Sequence, residues 1–343
     1  MLKSNVRLSA GVGVGVGVLT AYWAWRKYFN DPPLQWEEVG EVASLIMYPI
    51  KSAYGVSVQN AQLTLNGLTA GPLQDRSFMV VTEENGTFIT GRQAGALLGV
   101  KITLGDDHTL TLHAHGHDAI KVDLQSTIKQ SRTIESKVWG ESVRGVDCGD
   151  MVAQWLTAVL YKGETRVRLI YKGGVMERRP PRKLTYYTFP RIKDSDSLSY
   201  QDTAAFHLTT VTSLDDLNSR LDQPVPMANF RPNIVVGGTI EPFAEDSWVA
   251  VRVGNAVIRK IKPSERCLLT TINPENGERH PDHEPMKTLR SYRLISQPLE
   301  LAKTWAAKPV FGAHFALDHG GEIRVGEKVM AATVSANPHI SVF

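Results

Sequence analysis

Short β-type runs, broken every few residues by glycine, proline or Asn-Gly, dominate this sequence, and sustained helical periodicity is scarce. Val39 to Tyr48, Gln62 to Leu65, Phe78 to Thr82, Phe88 to Thr90, Val100 to Leu104 and Thr109 to His113 are rich in branched and aromatic residues. Val167 to Tyr171, Phe206 to Thr210, Asn233 to Val236, Trp248 to Val253, Ala256 to Ile261, Cys267 to Ile272 and Glu322 to Val329 repeat the pattern. Runs this short cannot bury a core alone, so they must pair into a barrel or a sandwich. Two stretches read as helices. After Asp150, the residues Val152, Trp155, Leu156, Val159 and Leu160 share one face, and Thr212 to Leu221 carries acids near its start, where the helix dipole favours them. The expected fold class is mainly β (α+β).

Asn85-Gly86 between two β-type runs predicts a hairpin with a type I′ turn, which makes the Asn85-Gly86-Thr87 glycosylation acceptor incidental. The chain has 343 residues, and at ~150 per domain that length suggests two domains, or one large one with an appendage. With 42% hydrophobic and 21% charged residues it is not a disordered chain. A net charge of +3 spread over this length argues against holding nucleic acid by bulk electrostatics. Two cysteines build no disulfide framework and point to a reducing setting, where each thiol is read for chemistry or for packing.

From Leu8 to Trp25 there is no charge, and Arg7 and Arg26-Lys27 bracket the run. It sits at the lower edge of what spans a ~30 Å hydrocarbon layer. Alternating Gly and Val from Gly11 to Val18, then Tyr22, Trp23 and Trp25, fit a short N-terminal membrane anchor with an interfacial belt. A cleaved secretory signal would want a longer leucine-rich core, and a flexible Gly/Val tail is the other reading. Asp31-Pro32-Pro33 separates this segment from the rest of the chain. A basic, proline-bearing loop, Glu177 to Lys183, marks a second junction. The expected layout is an anchor and linker at 1–35, a β-rich domain at 36–175 and a second at 176–338.

Cys267 follows Lys262-Pro263-Ser264-Glu265-Arg266 and reads as a thiol where a polar turn becomes a strand. Arg266 and turn amides would favour a thiolate, the form that binds a soft metal; the alternative is a small buried apolar cysteine. Cys148, between Asp147 and Asp150, reads as structural. Lys51-Ser52, Asp75-Arg76, and Arg231 with Asn233 are cations, hydroxyls or amides at loop-to-strand junctions, where a phosphate or a polar polycyclic cofactor is gripped. Each alone is equally a surface ion pair. His113, His115 and His117 have a spacing compatible with zinc on one strand face, but no acid or thiol completes the set. No Gly-x-Gly-x-x-Gly, P-loop, Gly-x-Ser-x-Gly or Cys-x-x-Cys occurs, so nucleotide, serine-hydrolase and dithiol chemistry lack their usual devices.

Tyr48-Pro49-Ile50-Lys51-Ser52, Leu73-Gln74-Asp75-Arg76, Gly91-Arg92-Gln93, Asp147-Cys148-Gly149, Asp202-Thr203, Asn229-Phe230-Arg231-Pro232-Asn233, Ala244-Glu245-Asp246-Ser247-Trp248 and Arg266-Cys267-Leu268-Leu269-Thr270-Thr271 occur in this order. In that order the chain resembles, over residues 36–335, the mitochondrial amidoxime-reducing component family of MOSC-domain molybdenum enzymes. The resemblance implies a MOSC β-barrel domain after a MOSC_N-like β-rich domain, and a molybdenum–molybdopterin cofactor without a dinucleotide. It implies Cys267 as the metal ligand. It further implies that Lys51, Ser52, Arg76, Arg231 and Asn233 hold the pterin and its phosphate, that Arg92 and Thr203 also bind the cofactor, and that Asp202 and Thr203 lie near the metal, with Asp202 catalytic. Gln201 stands where a serine is usual, and Ala204-Ala205 where Ser-Pro is usual.

The implied reaction reduces N-hydroxylated compounds (amidoximes, hydroxylamines, N-oxides) to N–H compounds and water. With no flavin or ferredoxin module, electrons must arrive from outside, by resemblance from NADH through a reductase and a b5-type cytochrome. The implied location is the mitochondrial outer membrane facing the cytosol, or the peroxisome. Arg178, Arg179, Arg182 and Lys183 either steer an acidic haem-edge partner or form a solvated loop. The competing readings are a cofactor carrier or sulfur-transfer MOSC protein without turnover, and a membrane-tethered binding protein without metal.

Overall fold

The structure, a computed structural model, describes residues 34–105, 109–130, 132–173, 179–181 and 191–333. The expected anchor, and Arg178, Arg182 and Lys183 of the basic loop, lie outside the described residues. Among the described residues no helix is long and apolar enough to cross a membrane. The described residues from Glu37 onward fall into one compact unit.

A β-sheet has two edges of unpaired N–H and C=O groups, and closure removes both. The largest sheet does this. In spatial order it runs Ile234–Gly237, Phe206–Thr210, Val310–His319, Ala256–Glu265, Trp248–Val253, Lys328–Thr333 and Trp36–Met47, with Val56–Val58 on the outside. Trp36–Met47 also pairs with Ile234–Gly237, which closes the barrel. Phe206–Thr210 and Ile234–Gly237 run parallel, so the chain between them needs a crossover, supplied by the helix Val211–Asn218. Thr210 caps that helix by accepting from the Ser213 N–H at 3.1 Å.

The barrel is not built from one end of the sequence. Its first stave precedes the others by well over a hundred residues, and Gly321–Arg324 in turn pairs with Asn60–Thr64 in a sheet of the N-terminal half. A further sheet joins Thr133–Val138, Glu141–Asp147, Val167–Tyr171 and Phe78–Thr82, and another joins Lys101–Leu104, Thr109–Ala114 and His117–Asp123. The helix Asp150–Tyr161 buries Val152, Ala153 and Leu156 against this core. The fold is mainly β with a barrel and few helices.

Three local expectations are corrected. The hairpin at Asn85-Gly86 is a wider loop: Thr82 N–H bonds to Thr87 O at 2.8 Å, and only Gly86 has a positive φ, so it is not a type I′ turn. Ala256–Glu265 extends four residues beyond the expected end, because bulges absorb Pro263, which has no N–H for the ladder. Cys267 to Ile272 is no strand. Leu268–Thr271 is a 3-10 turn with Cys267 at its N-cap, so Cys267 lies where a strand ends rather than where one begins.

Candidate active site

Beside the barrel lies a cleft of about 320 Å³. Seven cations line it (Lys51, Arg76, Arg92, Arg231, Lys262, Arg266, Lys308) against two carboxylates, Asp202 and Glu265, a balance that favours an anionic ligand. Ser52, Thr203, Asn233 and Cys267 line it too, so the residues that the resemblance assigns to the cofactor and the metal share one cleft.

The floor is organised by Asp75, a fully buried carboxylate. It accepts from the Tyr48 backbone N–H at 2.9 Å, Asn233 Nδ2 at 2.9 Å and Arg76 Nη1 at 2.7 Å. The guanidinium carbons of Arg76 and Arg231 lie 4.5 and 4.2 Å from the Tyr48 ring centroid. Burial pushes the Tyr48 hydroxyl up to about 12, so the phenol stays neutral. Burial, reinforced by the like charge of Arg76, lowers Arg231 to about 10, which still leaves a cation at neutral pH. Arg231 Nη1 donates to Ala53 O at 2.6 Å, while Nη2 has no partner among the described residues. Arg266 Nε and His314 Nδ1 are buried and unpartnered too. Leaving such a donor unmet costs roughly 1–3 kcal/mol. The two arginine N–H groups, of Arg231 and Arg266, are what a polar, anionic ligand would satisfy.

His207 and His314 sit 5.4 Å apart between ring centroids. Burial holds both well below the ordinary histidine range, so they are neutral donors or acceptors rather than added charge. His314 Nε2 lies 3.2 Å from Ser264 Oγ, which accepts from Arg266 Nη1 at 2.7 Å.

Cys267 is exposed at the rim. Its backbone is pinned, because Thr270 N–H and Thr270 Oγ1 both donate to its carbonyl at 3.0 Å. No group of three or more His, Cys, Asp or Glu that could hold a metal occurs among the described residues. A metal at this rim would therefore take one protein sulfur and bring its other ligands with it. One soft protein sulfur at the rim of a cationic cleft fits a metal carried by an anionic dithiolene cofactor. Cys148 contrasts with it: burial, then Asp147, pushes its thiol far up, and it packs in the core.

At the mouth, Lys51 is buried and donates to Tyr200 O at 2.8 Å and to Asp202 Oδ1. Desolvation lowers the lysine, and the Asp202 charge opposes that. Trp139 Nε1 donates to the same Asp202 oxygen at 2.6 Å. The Asp202 side chain is 59% exposed, lodged in a concavity but open to water. Desolvation there raises its carboxyl, but the Lys51 charge and hydrogen bond outweigh it and hold the group at about 2. Arg92 is exposed, its guanidinium 5.6 Å from the Trp139 ring centroid.

Of the eight non-glycine residues with positive φ among the described residues, Ser52, Arg76, Trp139 and Arg231 line this cleft, at 68°, 47°, 53° and 55°. Left-handed backbone costs such residues roughly 1–3 kcal/mol, and it persists where surrounding contacts over-determine it.

Several sequence readings resolve differently in space. Asn233 is spent on the protein itself: Nδ2 donates to Ile46 O at 3.2 Å and to Asp75, and Oδ1 accepts from the His207 N–H at 3.1 Å. Gln201 donates to Asn66 O at 2.6 Å and Asp75 O at 3.1 Å, bracing the loop before Asp202. Arg179 is not a solvated or docking charge. It is buried, pairs with Glu141 at 3.0 Å and donates to Gln201 O at 2.6 Å. The histidine run is split by a turn at His115-Gly116, and His113 Nε2 lies 2.8 Å from Thr103 Oγ1. Trp139, His207, Lys262 and His314 were not singled out from sequence. Trp139-Gly140 between two alternating runs was the available signal for the first, and the others look like ordinary strand residues.

Comparison with known proteins agrees with this architecture. Residues 39–163 match the MOSC N-terminal beta barrel domain, and residues 195–330 match the MOSC domain. The chain is 38% identical over 309 residues to the mitochondrial amidoxime-reducing component 1 of Mus musculus, covering 89% of this chain and 86% of that protein. The Homo sapiens component 1 is 38% identical, with 89% and 87% covered. The Xenopus laevis component 1 is 34% identical, with 96% and 93% covered. With both domains present in order and identity sustained across nearly the whole length, this chain belongs to the mitochondrial amidoxime-reducing component family of MOSC-domain proteins.

Proposed function

We propose that this protein is a molybdenum-cofactor-dependent reductase of N-hydroxylated compounds, cleaving N–OH to N–H and water. One observation carries the reading: an exposed thiol, Cys267, stands at the rim of a cationic cleft in which two buried guanidinium N–H groups, of Arg231 and Arg266, have no partner among the described residues. The names of the relatives, which speak of amidoxime reduction, support it.

Cys267 would be the protein's ligand to the metal, with Lys51, Ser52, Arg76, Arg92, Thr203, Arg231 and Asn233 around the rest of the cofactor. When bound, the cofactor supplies a two-electron couple, and the substrate balance is R–NHOH plus two electrons and two protons to R–NH2 plus water. The side chains do the holding. Arg231 and Arg266 offer unpartnered N–H groups to an anion. Asn233 and Asp75 fix the angle of the Arg76 guanidinium. Asp202, ionised at neutral pH, accepts hydrogen bonds and is no proton donor there. Its Oδ2 accepts none from the described residues, since Lys51 and Trp139 both donate to Oδ1.

The electron donors belong to the same proposal: NADH, a reductase and a b5-type cytochrome, at the mitochondrial outer membrane with catalytic domains facing the cytosol. So do the anchor at 1–35 and the division at 175/176. Purified protein from a cofactor-competent host, given benzamidoxime, the cytochrome, its reductase and NADH, should yield benzamidine and contain molybdenum near one per chain. Molybdenum without benzamidine would identify a carrier. No molybdenum would end the proposal.

A further inference from the structure

Trp139 and Gly140 form a two-residue hairpin turn between Thr133–Val138 and Glu141–Asp147, with Val138 paired to Glu141. Both have positive φ, 53° and 92°, the pattern of a type I′ turn. The first position of such a turn suits Asn, Asp or Gly; a tryptophan there is a strained choice. The indole is not absorbed into a core that would compensate, for Trp139 is 38% exposed. Instead it lines the cleft, bonds through Nε1 to Asp202, and meets Phe88 edge-on at 5.4 Å between centroids. A bulky aromatic in a strained, partly exposed turn at a cleft mouth marks a ligand contact rather than a fold requirement.

Two chemical features meet at this point. One is an aromatic ring already approached by a planar guanidinium, that of Arg92. The other is Asp202 Oδ2, which accepts no hydrogen bond from the described residues, in a cleft otherwise dominated by cations. A planar group with a delocalised N–C–N system and outward N–H donors satisfies both, by stacking on indole and donating to carboxylate. We infer that Trp139 is a specificity-determining residue, holding the planar amidoxime-like portion of a substrate against its indole while Asp202 Oδ2 accepts the substrate N–H. This rests on the reductase reading and adds selectivity to it: planar conjugated N-hydroxy compounds are preferred over small compounds with no plane to stack.

The test uses cofactor-loaded full-length enzyme and two substrates, benzamidoxime and hydroxylamine. Trp139→Asn, which suits the left-handed turn, should lower the ratio of kcat/KM for benzamidoxime over hydroxylamine by roughly fivefold to tenfold, chiefly through the benzamidoxime KM. Trp139→Phe, which keeps a ring but loses the N–H, should restore part of that ratio. Tm of the Asn variant should hold or rise, and molybdenum content should match the parent. An unchanged ratio overturns the inference, and so does a fall accompanied by a lower Tm or less molybdenum, which would make Trp139 merely structural. If the parent enzyme reduces neither substrate, the reductase reading fails separately. Benzamidine quenching of tryptophan fluorescence then decides the contact: quenching in the parent that disappears in Trp139→Phe keeps it, and equal curves sink it.

Discussion

At the floor of the cleft, Arg231 is buried and stacked on Tyr48, Asp75 accepts from the Tyr48 N–H, and Arg231 Nη2 has no partner among the described residues. At the mouth, Asp202 and Trp139 are exposed by more than half and more than a third, and bonded to each other. The floor is buried and cationic; the mouth is exposed, aromatic and carries a carboxylate. Burial explains the difference. A guanidinium removed from water needs fixed partners and rewards a bound anion strongly. A half-exposed carboxylate loses little by leaving one oxygen to solvent, so it can exchange water for whatever arrives. On the proposed function, a tightly held cofactor would suit the first environment and an exchanging substrate the second.

The sharpest way to break this division is at the sulfur between the two ends. Cys267→Ala is expected to cut turnover by at least about a thousandfold and to lower bound molybdenum, read by elemental analysis, while the fold persists because the thiol is exposed. Retained metal and turnover would place the ligand elsewhere. At the floor, Arg231→Met should lower cofactor retention by about thirtyfold, measured as molybdenum remaining after gel filtration, since a charged hydrogen-bond donor to the anion is gone. Arg231→Lys should recover only part, because an ammonium cannot make the same fork. Equal retention in all three proteins would remove Arg231 from the cofactor site.

The smallest effect is expected at the mouth, and it is a change of pH dependence. Asp202 titrates at about 2, below its ordinary value of 3.8, so its charge and the stabilisation it brings are complete above 3.8. They are lost only as pH falls through about 2. The parent enzyme should show no acid limb from this group between about pH 4 and 7. Lys51→Met removes the main force lowering that pKa and leaves desolvation, which raises it, opposed only by the smaller effects of the Trp139 hydrogen bond and the Arg76 charge. An acid limb should then enter that range, with kcat/KM for benzamidoxime down about tenfold at its acid end. A profile parallel to the parent's would mean Asp202 does not touch substrate.

Much of the fold class was legible in the chain because alternation and β-branching are local properties. The strands at Phe78–Thr82, Val167–Tyr171, Phe206–Thr210 and Trp248–Val253 fall where the runs predicted them. His117–Asp123, Thr133–Val138 and Glu141–Asp147 were not seen, since their outward faces are charged and they read as loop. The cleft's cations were visible as Lys, Arg and Asn at loop-to-strand junctions. Their pairing was not. Arg179 looked like part of a solvated basic loop and is instead a buried brace under Gln201.

Residue types at strand ends, an apolar N-terminal run and a cysteine beside an arginine are properties of neighbouring residues, and the sequence alone determined them. Only tertiary structure decided that Trp36–Met47 closes a barrel made chiefly of later strands. It alone brought the Trp139 turn to Asp202, left one Arg231 N–H without a partner among the described residues, and buried one cysteine while exposing the other. The physical reason is that hydrogen bonding and desolvation depend on which distant groups exclude water from a site, and no local pattern of residues carries that information.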